Sequence, residues 1–162
     1  MLPKVRAIPE EYHSITPSLV VKDTAKAIEF YKRAFGAEEK ERFTLPGTNR
    51  IMHAELKIGD SILMLGEESP ETGCFSPASL KGTPASLYLY VEEVDNVFNR
   101  AVQAGAQVKM PVADMFWGDR GGQVTDPFGH AWWIATHEED LTQDQIAKRA
   151  QEFFKDFAKV GK

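Results

Sequence analysis

The sequence predicts an α+β fold made of two tandem strand–helix–strand–strand–strand (βαβββ) modules, followed by a C-terminal helix. Three observations predict it. The stretch 18–37, SLVVKDTAKAIEFYKRAFGA, reads like 88–106, YLYVEEVDNVFNRAVQAGA: an apolar run, acidic residues, a helical pattern and a Gly-Ala close. The stretch 54–65, AELKIGDSILML, lines up with 124–135, VTDPFGHAWWIA, with Gly59 facing Gly129. Between the halves lies EESPETGCFSPASLKGTP, whose Pro, Gly and Ser content suits a surface connection.

Each element has its own signal. The first module, about 14–68, begins with a strand over 15–21. A helix follows over 24–35, where Ala27, Ile28, Tyr31, Ala34 and Phe35 recur at helical spacing. Asp23 stands where strand passes to helix, and a carboxylate there suits the positive end of the helix dipole. Gly36 closes the helix, as a C-terminal glycine does. Strands follow at 38–45, 50–58 and 61–66, the last two joined by a tight turn at Ile58-Gly59-Asp60. The second module, about 84–137, repeats the order. Its strand covers 85–91 and its helix 94–104, with Val94, Val97, Phe98, Ala101 and Val102 on one face. Glu93 and Gly105 take the places of Asp23 and Gly36, and strands follow at 107–112, 120–126 and 130–136. Residues 1–13 read as an irregular lead and 138–162 as a helical extension. In that extension Thr142 and Gln145 form a capping box, and Ile146, Ala150, Phe153, Phe154 and Phe157 form an apolar stripe. Such a stripe packs on the body of the protein or on a second subunit.

The totals exclude several function classes. With 43% hydrophobic and 27% charged residues, the chain has the balance of a soluble globular protein. A net charge of −5 argues against a nucleic-acid surface and leaves room for a cationic ligand. No run approaches the length of a membrane span, and the N-terminus has no apolar secretory core. Cys74 is the only cysteine, so no intrachain disulfide can form; a cytoplasmic location is expected. No serine occupies a nucleophile elbow, and there is no Cys-x-x-Cys or paired-histidine helix motif. The glycines of GDRGG lack the strand-loop-helix context and the lysine of a phosphate loop.

The tandem modules, with FYKRAFGAEE after the first helix and DPFGHAWWIATH at the last turn, resemble the vicinal oxygen chelate superfamily. This is the group of glyoxalase I, bleomycin-resistance proteins and extradiol dioxygenases. The match runs over about 14–137 and looks like the PhnB-like, glyoxalase-related branch. It implies a curved mixed sheet around a cleft, with helices outside, and a homodimer. In metal-using members four strands supply His, Gln or Glu ligands. Here the corresponding positions fall at Thr16, Leu63 or Met64, Ser86 and Trp133. Those side chains are no ligand set for a divalent ion, so the usual metal centre and any other cofactor are not expected.

Two groups of residues then become candidates. In IMHAELKI, His53 and Glu55 alternate with Met52, Ala54, Leu56 and Ile58, which places them on the face away from a helix. They read as a cross-strand polar pair, a ligand-binding pair, an acid–base pair or a displaced metal site. The last requires His13, His130 or His137 to converge on them. In the second module, if Ser86 faces the cleft, period 2 brings Tyr88 and Tyr90 with it, and Trp133 joins them. The loop DMFWGDR adds Phe116, Trp117, Asp119 and Arg120. A pocket lined by aromatics with few polar groups suits a flat or apolar small molecule, and its ring faces suit a cation. The expected function is small-molecule binding. The alternative is a glyoxalase-like lyase or isomerase, or a dioxygenase, working from His53 and Glu55.

Overall fold

The computed structural model describes residues 5–160, with side chains as far as Lys155. Met1–Lys4 and the side chain of Phe157 lie outside the described residues. The two-module α+β fold is observed. The first module runs β1 (Ser18–Val21), α1 (Thr24–Phe35), β2 (Glu38–Thr44), β3 (Ile51–Ile58) and β4 (Ser61–Glu67). The linker, expected as a surface loop, also holds a 3₁₀ turn (Pro70–Thr72) and the short helix α2 (Pro77–Leu80). The second module runs β5 (Ser86–Tyr90), α3 (Val94–Ala104), β6 (Gln107–Asp114), β7 (Asp119–Thr125) and β8 (Ala131–His137), before α4 (Gln143–Val160). Each module folds its own four-stranded sheet, in the orders β1-β4-β3-β2 and β5-β8-β7-β6. In each, the first and last strands pair in parallel and the other pairs are antiparallel.

The helix ends follow the sequence signals, with one exchange of partner. The Asp23 carboxylate accepts from the Lys26 N–H at 3.0 Å, and Gly36 ends α1 in the left-handed region at φ 68°. Glu93 makes no such side-chain bond. The first turn of α3 is served instead by Thr136 of β8, whose Oγ1 accepts from the Val94 N–H at 3.0 Å. The capping box of α4 forms between Thr142 and Gln145.

Strand alternation sorts the residues between two environments. In the first sheet Leu19, Val21, Ala54, Leu56, Leu63 and Leu65 enter the core. His53, Glu55, Lys57 and Met64 take the opposite, outer face. In the second sheet Val124, Trp132 and Ile134 enter the core, with Leu87 and Leu89 packed against it. Tyr88, Tyr90 and Trp133 lie on that sheet's outer face. Helix α1 packs against α3, and one continuous core draws on both modules.

A buried carboxylate ties the modules together. Asp126, at the start of the DPFGH turn, accepts from the Tyr31 hydroxyl of α1 at 2.6 Å and from Trp132 Nε1 at 2.9 Å. It also accepts from the backbone N–H groups of Phe128 and His130, both at 2.9 Å. Burial, then the neighbouring Asp126, pushes the Tyr31 phenol well above its ordinary pKa, so it remains a donor. Around this centre Phe30, Tyr31, Phe35, Phe128 and Trp132 pack ring on ring, with Phe35 and Trp132 centred 4.7 Å apart. His130 Nε2 lies 3.0 Å from the Val20 carbonyl oxygen, a second polar contact between modules. Tyr31→Phe removes one donor from a buried carboxylate and is expected to cost about 1.5–3 kcal/mol, read as a lower urea midpoint.

Candidate functional site

The outer face of the second sheet gathers a ring cluster over one buried carboxylate. Tyr88 on β5 stands beside Trp133 on β8, because these residues pair in the parallel register. Their rings are stacked at 5.9 Å with planes 25° apart. Tyr90 lies 4.9 Å from Tyr88, and Trp117 lies 5.9 Å from Trp133. Beneath them Asp119 is 3% exposed. Its Oδ2 accepts from the hydroxyls of Tyr88 at 2.8 Å and Tyr90 at 2.9 Å, and from Trp117 Nε1 at 3.0 Å. Its Oδ1 accepts from His137 Nδ1 at 2.8 Å. The polar ends of three aromatic side chains are thus anchored inward, while Tyr88 and Tyr90 remain 47% and 59% exposed.

These contacts settle the charge of the site. Burial alone would raise the Asp119 pKa; the bonds from His137, Tyr88, Tyr90 and Trp117 outweigh it and hold the carboxyl below its ordinary value. Burial, and then the bond to Asp119, raise both tyrosine pKa values, so Tyr88 and Tyr90 stay protonated donors. The His137 pKa is raised by its bonds to Asp119 and to Asp140, whose Oδ1 lies 3.0 Å from Nε2. Both ring nitrogens can donate only in the imidazolium form.

Two glycines make room for the rings. A Cβ on Gly121 would lie 2.8 Å from Trp133 Nε1, and one on Gly122 would lie 2.7 Å from the Phe98 ring. Gly121 and Gly122 of GDRGG are strand residues that admit large neighbours on both faces of β7. Next to the cluster, Phe116 meets Trp117 edge-on at 4.9 Å and touches Phe153 and Phe154 of α4 at 5.5 and 5.8 Å. A cleft of ≈ 680 Å³ runs along the free edge of β5 towards the first module, lined among others by Thr16, Ile62, Leu87, Tyr88 and Tyr90.

The structure brings together Tyr88, Tyr90, Trp117 and Trp133, with Phe116 at the margin. Arg120, expected beside them, is on the opposite face. It follows Asp119 on the same strand, so it points the other way, and its guanidinium binds Asp95 of α3 at 2.8 Å and Asp114 at 2.7 Å. Asp119 and His137 were missed as the organising polar pair, although a signal existed. The β7–β8 register that pairs Thr125 with Ala131 also pairs Asp119 with His137, on the face of Trp133.

His53 and Glu55 form a separate group on the first sheet. His53 Nε2 is 3.1 Å from Glu55 Oε1, and the Tyr12 hydroxyl donates to Glu55 Oε2. None of the three histidines proposed to join them does so: His130 bonds to Val20, His137 bonds to Asp119 and Asp140, and no described bond links His13 to the pair. The four positions at which the resemblance implies metal ligands hold Thr16, Met64, Ser86 and Trp133. Register puts Met64 rather than Leu63 on the outer face, opposite Glu55. Hydroxyls, a thioether and an indole do not fit a divalent metal there.

The raised His137 pKa has a readable consequence. Its imidazolium contacts favour the folded state fully below the ordinary value of 6.5, and this contribution is lost as pH rises through the raised midpoint. NMR titration of the His137 ring should give a midpoint above 6.5, falling back towards it in Asp119→Asn.

Comparison with known proteins places this geometry. The family model described as the Glyoxalase/Bleomycin resistance protein/Dioxygenase superfamily matches residues 12–134. An uncharacterized protein of Mycobacterium tuberculosis (strain ATCC 25618 / H37Rv) is 41% identical over 137 residues, covering 82% of this chain and 79% of that one. Among solved structures, an Arabidopsis thaliana gene product is 30% identical with a TM-score of 0.61, covering 76% of this chain and 98% of its own. TioX from Micromonospora sp. ML1 is 29% identical with a TM-score of 0.59, covering 77% of this chain and 98% of its own. The chain described here belongs to the glyoxalase/bleomycin resistance protein/dioxygenase superfamily.

Proposed function

We propose that the protein binds a flat aromatic small molecule, preferably a cationic one, against the outer face of its second module. The observation that carries this reading is the anchoring of Tyr88, Tyr90 and Trp117 on buried Asp119 with the tyrosine rings left bare. Ordinary core packing hides ring faces; here the polar tips are hidden and the faces are presented. Rings already held in place lose little side-chain freedom when a ligand stacks on them. The ring faces themselves attract a cation. The adjoining ≈ 680 Å³ cleft is of a size for a drug-like molecule. A homodimer working in the cytoplasm belongs to the same reading. No described helix is long and apolar enough to cross a membrane.

Tryptophan fluorescence tests the proposal with three probes: an N-alkyl acridinium, the neutral hydrocarbon anthracene and the non-aromatic cation choline. Saturable quenching is expected with acridinium, weaker with anthracene and weakest with choline. Tyr88→Ala should weaken acridinium binding about tenfold, the loss of one strong ring contact. Absence of saturable quenching by both aromatic probes rejects the reading. Sedimentation of the chain with and without residues 141–162 reports the assembly state; loss of the dimer on truncation is expected if α4 holds it together.

A further inference from the structure

The outer face of the first module carries a second cluster, away from the ring site. Glu41 of β2 lies directly opposite Glu55 of β3, and Phe43 lies opposite His53. One donor atom from each of Glu41, His53 and Glu55 falls within 4.8 Å of the other two. The geometry points to a site for a divalent transition-metal ion held by Glu41, His53 and Glu55.

The electrostatics favour a cation. Two carboxylates directly opposite on adjacent strands repel each other. Among the described residues no lysine or arginine forms an ion pair with either. Lys40 and Lys57 both turn to Glu11, and Arg42 turns to Glu39. Glu55 is only 8% exposed, so water screens it poorly. His53 is the one basic partner that Glu55 has among the described ion pairs.

The donor chemistry names the class of ion. One imidazole nitrogen and two carboxylate oxygens suit zinc, manganese or iron in the divalent state. Ligands at about 2.1 Å from a shared ion lie at most about 4.2 Å apart. Exposed Glu41 can close the remaining gap by a rotamer change. Tyr12 donates to Glu55 Oε2, leaving Oε1 turned to His53. It acts as a positioning residue, of the kind that orients metal-binding carboxylates. The site differs from the positions that the family resemblance implies, since its ligands come from β2 and β3 rather than from Thr16, Met64, Ser86 and Trp133.

Equilibrium dialysis of the chelator-stripped full chain against zinc decides the matter. One zinc per chain is expected, with binding weakened at least about tenfold in Glu41→Gln and in His53→Ala and unchanged in His137→Ala. Glu41→Gln removes one of the two opposed carboxylates, so its zinc-free urea midpoint should equal or exceed that of the wild type, and only the rise in midpoint that zinc produces should be lost. Failure of the wild type to bind zinc overturns the inference. So does zinc binding that survives both Glu41→Gln and His53→Ala, or that is lost in His137→Ala. Acridinium quenching at Tyr88 is a separate readout, so the two sites stand or fall independently.

Discussion

The structure depends on the carboxylate of Asp126. Tyr31 of the first module and Trp132 of the second are both buried where the modules meet. Both side chains carry a donor into the core, and both are satisfied by the same oxygen. The other oxygen holds the DPFGH turn through two backbone N–H groups. A hydrogen bond to a charged, buried acceptor is stronger than a neutral one, and leaving it unmade is costly. The docking of α1 on the second module is therefore specified by one geometry rather than by apolar contact alone.

Asp119 repeats this device on the other side of the second sheet, with a different result. Each carboxylate receives four described hydrogen bonds. Around Asp126 the donor Tyr31 is fully buried, so the bonds stabilise the fold. Around Asp119 the donors Tyr88 and Tyr90 remain largely exposed, so the bonds orient a surface. The same chemistry thus makes a core in one place and an oriented, exposed ring surface in another. Which it makes is decided by what covers the rings.

The two outer faces also divide the chemistry. The second module presents rings with one buried anion, a surface for stacking. The first presents Glu41, His53 and Glu55, a surface of ionic donors. Their separation follows from the sheets being distinct, since no strand of one pairs with a strand of the other.

The sequence by itself determined the two modules, their main helices and the alternation of faces along most of the strands. These are local properties, set by periods of 3.6 and 2 and by glycines at turns and helix ends. His53 with Glu55, and Tyr88 with Tyr90 and Trp133, were therefore legible as sets. Arg120 was misplaced because the loop before β7 hid the strand's parity; once Asp119 starts the strand, Arg120 must face α3. Only the tertiary structure decided which sets meet. That Tyr31 reaches Asp126 across 95 positions, that Glu41 comes opposite Glu55, and that four donors converge on Asp119 are consequences of register and docking. Such contacts leave no periodic trace in the chain, because they are made between elements and not within them.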